Sequence, residues 1–89
     1  MLTETIHIIN KRGLHARAAA KFATLAAQYG SRIQVRTHGS WVDAKSVMSL
    51  MLLAATQGTD IEVSTEGDDE AQAMESIRGL INNRFEEDE

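Results

Sequence analysis

The feature that most constrains the fold of this 89-residue chain is a hydrophobic period that switches repeatedly between two and three-to-four residues. Residues 2–9 carry Leu2, Ile6, Ile8 and Ile9 among Thr and Glu, a β-type composition. Asn10 to Gly13 supplies a turn. From Ala16 to Gln28 the period lengthens, and Ala19, Phe22, Ala23, Ala26 and Tyr29 fall on one helical face widened by Leu25. The small alanines let such a helix lie close to a sheet, and Gly30 suits the C′ position after it. Residues 32–37 alternate cleanly, with Ile33 and Val35 inward and Arg32, Gln34 and Arg36 outward, as in a half-solvated antiparallel strand. His38-Gly39-Ser40 reads as a hairpin turn and Trp41-Val42 as a short return strand. A helical period returns over Ala44 to Gln57, with Val47, Leu50, Met51 and Ala54 on one face and Gly58 as the stop. Ile61, Val63 and Thr65 alternate as a third strand profile. The turn Gly67-Asp68-Asp69-Glu70 then leads into a helix with Met74, Ile77 and Ile81 in its stripe, fading near Asn83. Three apolar stripes need one sheet face to cover. The order β-α-β-β-α-β-α therefore implies an α+β, two-layer open-faced sandwich in a single domain spanning residues 1–89.

Composition narrows the chemistry. Without Cys, the chain has no disulfide, thiolate nucleophile or Cys-held metal. The longest apolar run, Leu50 to Ala55, is six residues, against roughly 20 for a membrane span. The segment MLTETIHIINKR lacks the continuous apolar stretch of a signal peptide, so a cytosolic location is expected. Residues 1–58 hold seven basic and two acidic residues, whereas residues 59–89 hold two basic and eleven acidic. The net charge of −4 argues against general nucleic-acid binding. The basic part containing His15, Arg17 and Lys45 suits an anion or an acidic protein face, with the acidic part facing elsewhere. Residues 84–89 read as a frayed, solubilising acidic tail.

Of the three histidines, only His15 has a setting that suggests a task. It stands just before a helix whose first N–H groups and positive dipole end favour an anion. Arg17 adds a charge-assisted donor two residues on, and the imidazole is a credible nucleophile toward a phosphoryl group. The residues alone leave open that His15 merely decorates a helix start. His7, His15 and His38 are too dispersed for a metal site, and no dinucleotide or P-loop fingerprint is present, so neither metal nor cofactor is expected. Asp43 or Ser46 can cap the second helix, and Ser46 is also a candidate phosphorylation site. Met48, Met51 and Leu52 are either core or an adhesive patch for partner proteins, and Trp41 either anchors that patch or covers a sheet edge.

Two segments carry a resemblance. Asn10-Lys11-Arg12-Gly13-Leu14-His15-Ala16-Arg17-Ala18 resembles the active-site segment of the HPr family, the histidine-containing phosphocarriers of the phosphoenolpyruvate-dependent phosphotransferase system. Val42-Asp43-Ala44-Lys45-Ser46-Val47-Met48-Ser49-Leu50-Met51 resembles the family's regulatory-serine segment. The likeness covers essentially the whole chain and is greatest to the proteobacterial and nitrogen-related branch. It implies a four-stranded antiparallel sheet of order 1-4-2-3 with three helices on one face. It implies that His15 accepts phosphate on Nδ1, that Arg17 and the backbone of Ala16, Arg17 and Ala18 steady it, and that Ser46 is the target of an HPr kinase/phosphorylase in lineages that possess one. Val47, Met48, Met51 and Leu52 would form the docking surface. The implied partners are an enzyme I type phosphotransferase and an EIIA-type acceptor, met by a monomer that is not itself an independent catalyst. Ala18 departs from the family's usual proline and Asp43 from a frequent asparagine. Two rival readings are a regulatory binding module acting through Met48 and a small-metabolite-binding α+β domain.

Overall fold

The computed structural model describes residues 1–88. It contains β1 (Leu2–His7), α1 (Ala16–Ala26), β2 (Arg32–Arg36), β3 (Val42–Asp43), α2 (Val47–Leu52), β4 (Asp60–Glu66) and α3 (Glu70–Asn82), followed by a 3₁₀ turn over Arg84–Glu86. The strands form one antiparallel sheet of order β1-β4-β2-β3. The alternation seen in the sequence explains its inner face, where Ile6, Ile33, Val35, Ile61 and Val63 are buried. Phe22, Ala19, Ala23 and Ala26 of α1 and Ala73, Met74, Ile77 and Ile81 of α3 close over them. The α+β sandwich and its strand order are therefore as expected, and α3 ends at Asn82, capped by Asn83, just past the last residue of its stripe, Ile81.

The second helix is much shorter than its apolar run. Instead of Ala44 to Gln57 it covers six residues, and only Leu50 is buried within it. Ala44 is fully buried before the helix begins, its N–H bonded to the Ile33 carbonyl. The end comes at Ala54, which adopts the left-handed region at φ 52° and donates to the Met51 carbonyl. Ala55 then turns into the core, and its carbonyl accepts from Leu14 at 2.8 Å. Gly58 is not the helix stop; it lies in the loop into β4, at φ 90°, donating to the Ile8 carbonyl. Gly30 is not a left-handed C′ either. The turns after α1 close through Gln28 to Leu25 and Tyr29 to Ala26, while the Gly30 N–H is held by the Asp69 carboxylate.

The largest correction concerns the tail. Arg84–Glu87 is ordered against the body, with Phe85 fully buried in the core beside α3 and the Lys21 ammonium donating to its carbonyl at 2.9 Å. A benzyl side chain gains about 2–3 kcal/mol by leaving water, which outweighs the solvation of its charged neighbours. Glu89, the end of the expected acidic tail, lies outside the described residues.

Candidate functional site

The site is built where the β1–α1 loop enters the helix. Gly13 takes φ 65°, and a Cβ there would stand 2.5 Å from the Ala55 carbonyl oxygen and 2.8 Å from the Thr56 Cα. Only glycine lets this loop press so closely on the segment after α2. The pressure fixes Leu14, buried in the core, and leaves the next residue, His15, at the helix N-cap with extended backbone. The His15 carbonyl accepts the Ala19 N–H at 2.8 Å, but its side chain makes no capping bond. The N–H groups of Ala16, Arg17 and Ala18 thus lie in the first turn, beyond reach of the helix's own carbonyls. No acidic residue occupies that turn. Ala16 and Arg17 are exposed, whereas Ala18 is buried in the core. Ala18 is the third helical residue, so a proline there would forfeit no intrahelical hydrogen bond.

The imidazole of His15 is four-fifths covered, and its Nε2 meets the Glu87 carboxylate at 2.5 Å. The other Glu87 oxygen accepts from the Asn10 side-chain amide at 2.8 Å, and that amide also donates to the Gly13 carbonyl at 2.8 Å. Burial pushes the Glu87 carboxyl up, but the hydrogen bonds from Asn10 and His15, with the charges of His15 and Arg12, prevail and hold it below its ordinary value of 4.5. An ionised carboxylate only accepts, so His15 donates Nε2–H. Of the acidic C-terminal part, Glu86, Glu87 and Asp88 therefore do not face elsewhere. Arg12, Arg17, Lys21, Glu86, Glu87 and Asp88 line an open groove of about 750 Å³ beside His15.

Sequence reasoning missed three members of this constellation. Asn10 counts as a turn residue and opens the segment that resembles the family's active site, but neither signals its full burial or its bond to Glu87. Phe85 and Glu87 fall in a segment that reads as a charged tail, where the lone aromatic among acids is the one sign of an anchor. Among the described residues, no group of three or more His, Asp or Glu is placed to hold a metal ion, and no helix is long and apolar enough to cross a membrane.

The second motif lies on α2, which packs against α1. Ser46 caps it, its hydroxyl accepting the Ser49 N–H at 3.2 Å, while Asp43 accepts the Lys45 N–H in the preceding turn. Met48 and Leu52 are 74% and 80% exposed and Met51 is exposed beside them, but Val47 packs partly on the core. Trp41 sits at the β2–β3 edge beneath the Arg36 guanidinium, 4.4 Å from its ring centre, a cation–π contact.

With this geometry in view, the comparisons with known proteins are decisive. Residues 2–83 match the family model described as PTS HPr component phosphorylation site. This chain belongs to the HPr family. The phosphocarrier protein HPr of Neisseria meningitidis serogroup B is 52% identical over 89 residues, covering both chains fully. That of Pseudomonas aeruginosa is 52% identical over 85 residues, 94% of each chain. The crystal structure of HPr-C-His from Thermoanaerobacter tengcongensis superposes with a TM-score of 0.95 at 43% identity and full coverage of both chains. HPr proteins are phosphocarriers of the phosphotransferase system, carrying a phosphoryl group without being independent catalysts.

Proposed function

We propose that His15 accepts a phosphoryl group on Nδ1 from an enzyme I type phosphotransferase charged by phosphoenolpyruvate, and passes it to an EIIA-type acceptor. The observation that carries this reading is the position of His15. It stands at the N-cap of an eleven-residue helix whose first turn holds no acid, and its ring is not spent on capping. An anion attached to this ring lies near first-turn N–H groups and the positive helix end, and Arg17 of that same turn is exposed and lines the neighbouring groove. With Nε2–H engaged by Glu87, Nδ1 keeps the lone pair that nucleophilic attack requires.

The protein acts in the cytosol as a single-domain monomer. The exposed Met48, Met51 and Leu52, with Val47 at their margin, form the apolar surface on which partners dock, since flexible methionines adapt to more than one of them. Ser46 is the regulatory phosphorylation site where an HPr kinase/phosphorylase is present. Phosphorylation there replaces a hydroxyl cap with a dianion at a helix start and changes the charge of the docking face.

The test is incubation with phosphoenolpyruvate and the general enzyme, read by intact-mass spectrometry. One acid-labile, base-stable phosphoryl adduct is expected, absent from His15→Ala. An adduct that persists in that variant overturns the assignment. A second reading, a regulatory module that works through Met48, draws on the exposure of that patch. Normal partner regulation by His15→Ala, lost in Met48→Asp, would favour it.

A further inference from the structure

The family model ends at residue 83, yet the His15 ring is gripped by a residue beyond that point. We propose that Glu87 is a positioning residue for phosphoryl transfer through His15, holding the ring as the Nε2–H tautomer and stabilising the cation formed when Nδ1 bonds phosphorus. The inference rests on the reading of His15 as phosphoryl acceptor.

Four observations converge on Glu87. The first is the donor pattern. Asn10 is fully buried, and both contacts of its amide nitrogen are oxygens that can only accept, the Gly13 carbonyl and Glu87. Its NH₂ orientation is therefore fixed, with both N–H groups used. Glu87 must accept from Asn10 with one oxygen and from His15 with the other, which an ionised carboxylate does and an amide cannot. The second is coverage. The Glu87 side chain is 15% exposed and that of His15 21%, so the contact is shielded from water more than a surface ion pair is. The third is anchoring. Phe85 is buried, Lys21 holds its carbonyl and lies 3.6 Å from Glu86, and the Glu87 N–H closes a turn onto the Arg84 carbonyl at 3.0 Å. The fourth is conformation. Arg84, Phe85 and Glu86 all take positive φ, between 53° and 66°. Left-handed backbone costs on the order of 1 kcal/mol per non-glycine residue, and it persists where surrounding contacts over-determine it. A tail without a docking task would relax to ordinary φ values.

The chemistry follows from the two ring nitrogens. A carboxylate on one imidazole nitrogen fixes the tautomer and orientation of the other, as in Ser-His-Asp triads. The Nδ1 lone pair attacks phosphorus. The Nδ1–P bond forms, the bond from phosphorus to the donor atom breaks, and its electron pair leaves with the donor. The proton stays on Nε2, so the ring becomes an imidazolium whose charge faces Glu87. Onward transfer reverses these changes, and the ring returns to the neutral Nε2–H form.

The test uses the full chain and four proteins: wild type, Glu87→Gln, Glu87→Ala and Glu87→Asp. The ring ¹⁵N shifts of His15, recorded without any partner, report the tautomer. Single-turnover exchange with the phosphorylated general enzyme reports transfer. Wild type is expected as Nε2–H. In Glu87→Gln, Asn10 takes the one carbonyl oxygen, and the amide then donates to Nε2 and drives the ring to Nδ1–H. Transfer should fall about 10–100-fold, the range for lost orienting partners. Glu87→Ala, which frees the ring without imposing the wrong tautomer, should lose less than Glu87→Gln, and Glu87→Asp should recover most of the rate. A merely structural tail predicts equal losses in Gln and Ala and no tautomer change. Wild type as Nδ1–H, an unchanged ¹⁵N pattern in Glu87→Gln, or a Glu87→Gln rate within about twofold of wild type each overturn the proposal. The two readings fail separately. No wild-type adduct at His15 overturns the carrier assignment, whereas a wild-type adduct with an undiminished rate in Glu87→Gln overturns only the role of Glu87.

Discussion

Two glycine-to-alanine substitutions should move stability in opposite directions, and the reason lies in what each new methyl group meets. At Gly13 the added Cβ stands 2.5 Å from the Ala55 carbonyl oxygen and 2.8 Å from the Thr56 Cα, both backbone atoms that no rotamer change can withdraw. The loop and the segment after α2 must separate, and the 2.8 Å bond from Leu14 to that same carbonyl is lost. A broken, buried backbone pair costs about 1–3 kcal/mol. Forcing alanine to φ 65° adds about 1–2 kcal/mol. The stiffer unfolded chain returns about 0.4–1 kcal/mol. The net is a loss of about 3 kcal/mol, or some 12–24 °C in Tm at about 4–8 °C per kcal/mol for a domain of this size. At Gly79, exposed within α3, nothing lies within 4 Å of the new Cβ. Removing a helix-interior glycine there should stabilise by about 0.5–1 kcal/mol. Paired urea and thermal melts, with m values compared to confirm an unchanged denatured state, measure both. If Gly13→Ala is neutral, or the two substitutions shift Tm in the same direction, the close approach that sets the His15 loop is not as described.

Other outcomes follow from the same structure. Phe85→Ala should cost about 3 kcal/mol, the low end for a buried phenylalanine because the freed tail sheds its left-handed backbone; urea melts measure it, and the His15 ¹⁵N shifts should move with it. Ser46→Ala should cost about 1 kcal/mol through loss of the α2 cap, measured by urea melts, whereas Ser46→Asp should keep most of that stability. The Ser31 hydroxyl bond, then the Gly30 N–H, hold the Asp69 carboxyl below its ordinary 3.8 despite the opposing pull of burial. Its contribution is thus present in full above that value and lost as pH falls through the lower folded one. Asp69→Asn should therefore flatten the acid limb of a stability–pH profile below about pH 4 while leaving its slope near neutrality unchanged.

What was legible in the sequence was what is decided locally. The α1 stripe and the alternation of β2 appear in the structure because each residue's burial is set by neighbours a turn or a pleat away. The motifs around His15 and Ser46 are legible differently, through their resemblance to the HPr family, whose model matches residues 2–83. The overlong reading of α2 had a tertiary cause. Leu52, Leu53 and Ala54 continue an apolar run, but Leu14 and Gly13 draw Ala55 out of helical register. The tail was illegible for a related reason. Glu87 meets His15 and Asn10 across 72 and 77 residues, so no spacing rule connects them, and its neighbours' charges pointed toward solvent. What the acids did not reveal was a single phenylalanine able to hold them down.

The sheet order has a consequence for how the molecule comes into being. Among the described residues β1 pairs with no strand except β4, and His7 meets an Asp60 that lies 53 positions further along the chain. Bringing such distant segments together costs about 3.5 kcal/mol in chain entropy before any pairing rewards it. On a ribosome, β1 and the alanine face of α1 emerge early and must wait, unpaired, until β4 is made. The His15 ring waits longer still, because Glu87, whose carboxylate grips it, follows both β4 and α3 in the chain. A nascent chain therefore holds the His15 ring ungripped until after the last strand of the sheet has been made, and the completed grip marks an assembled fold.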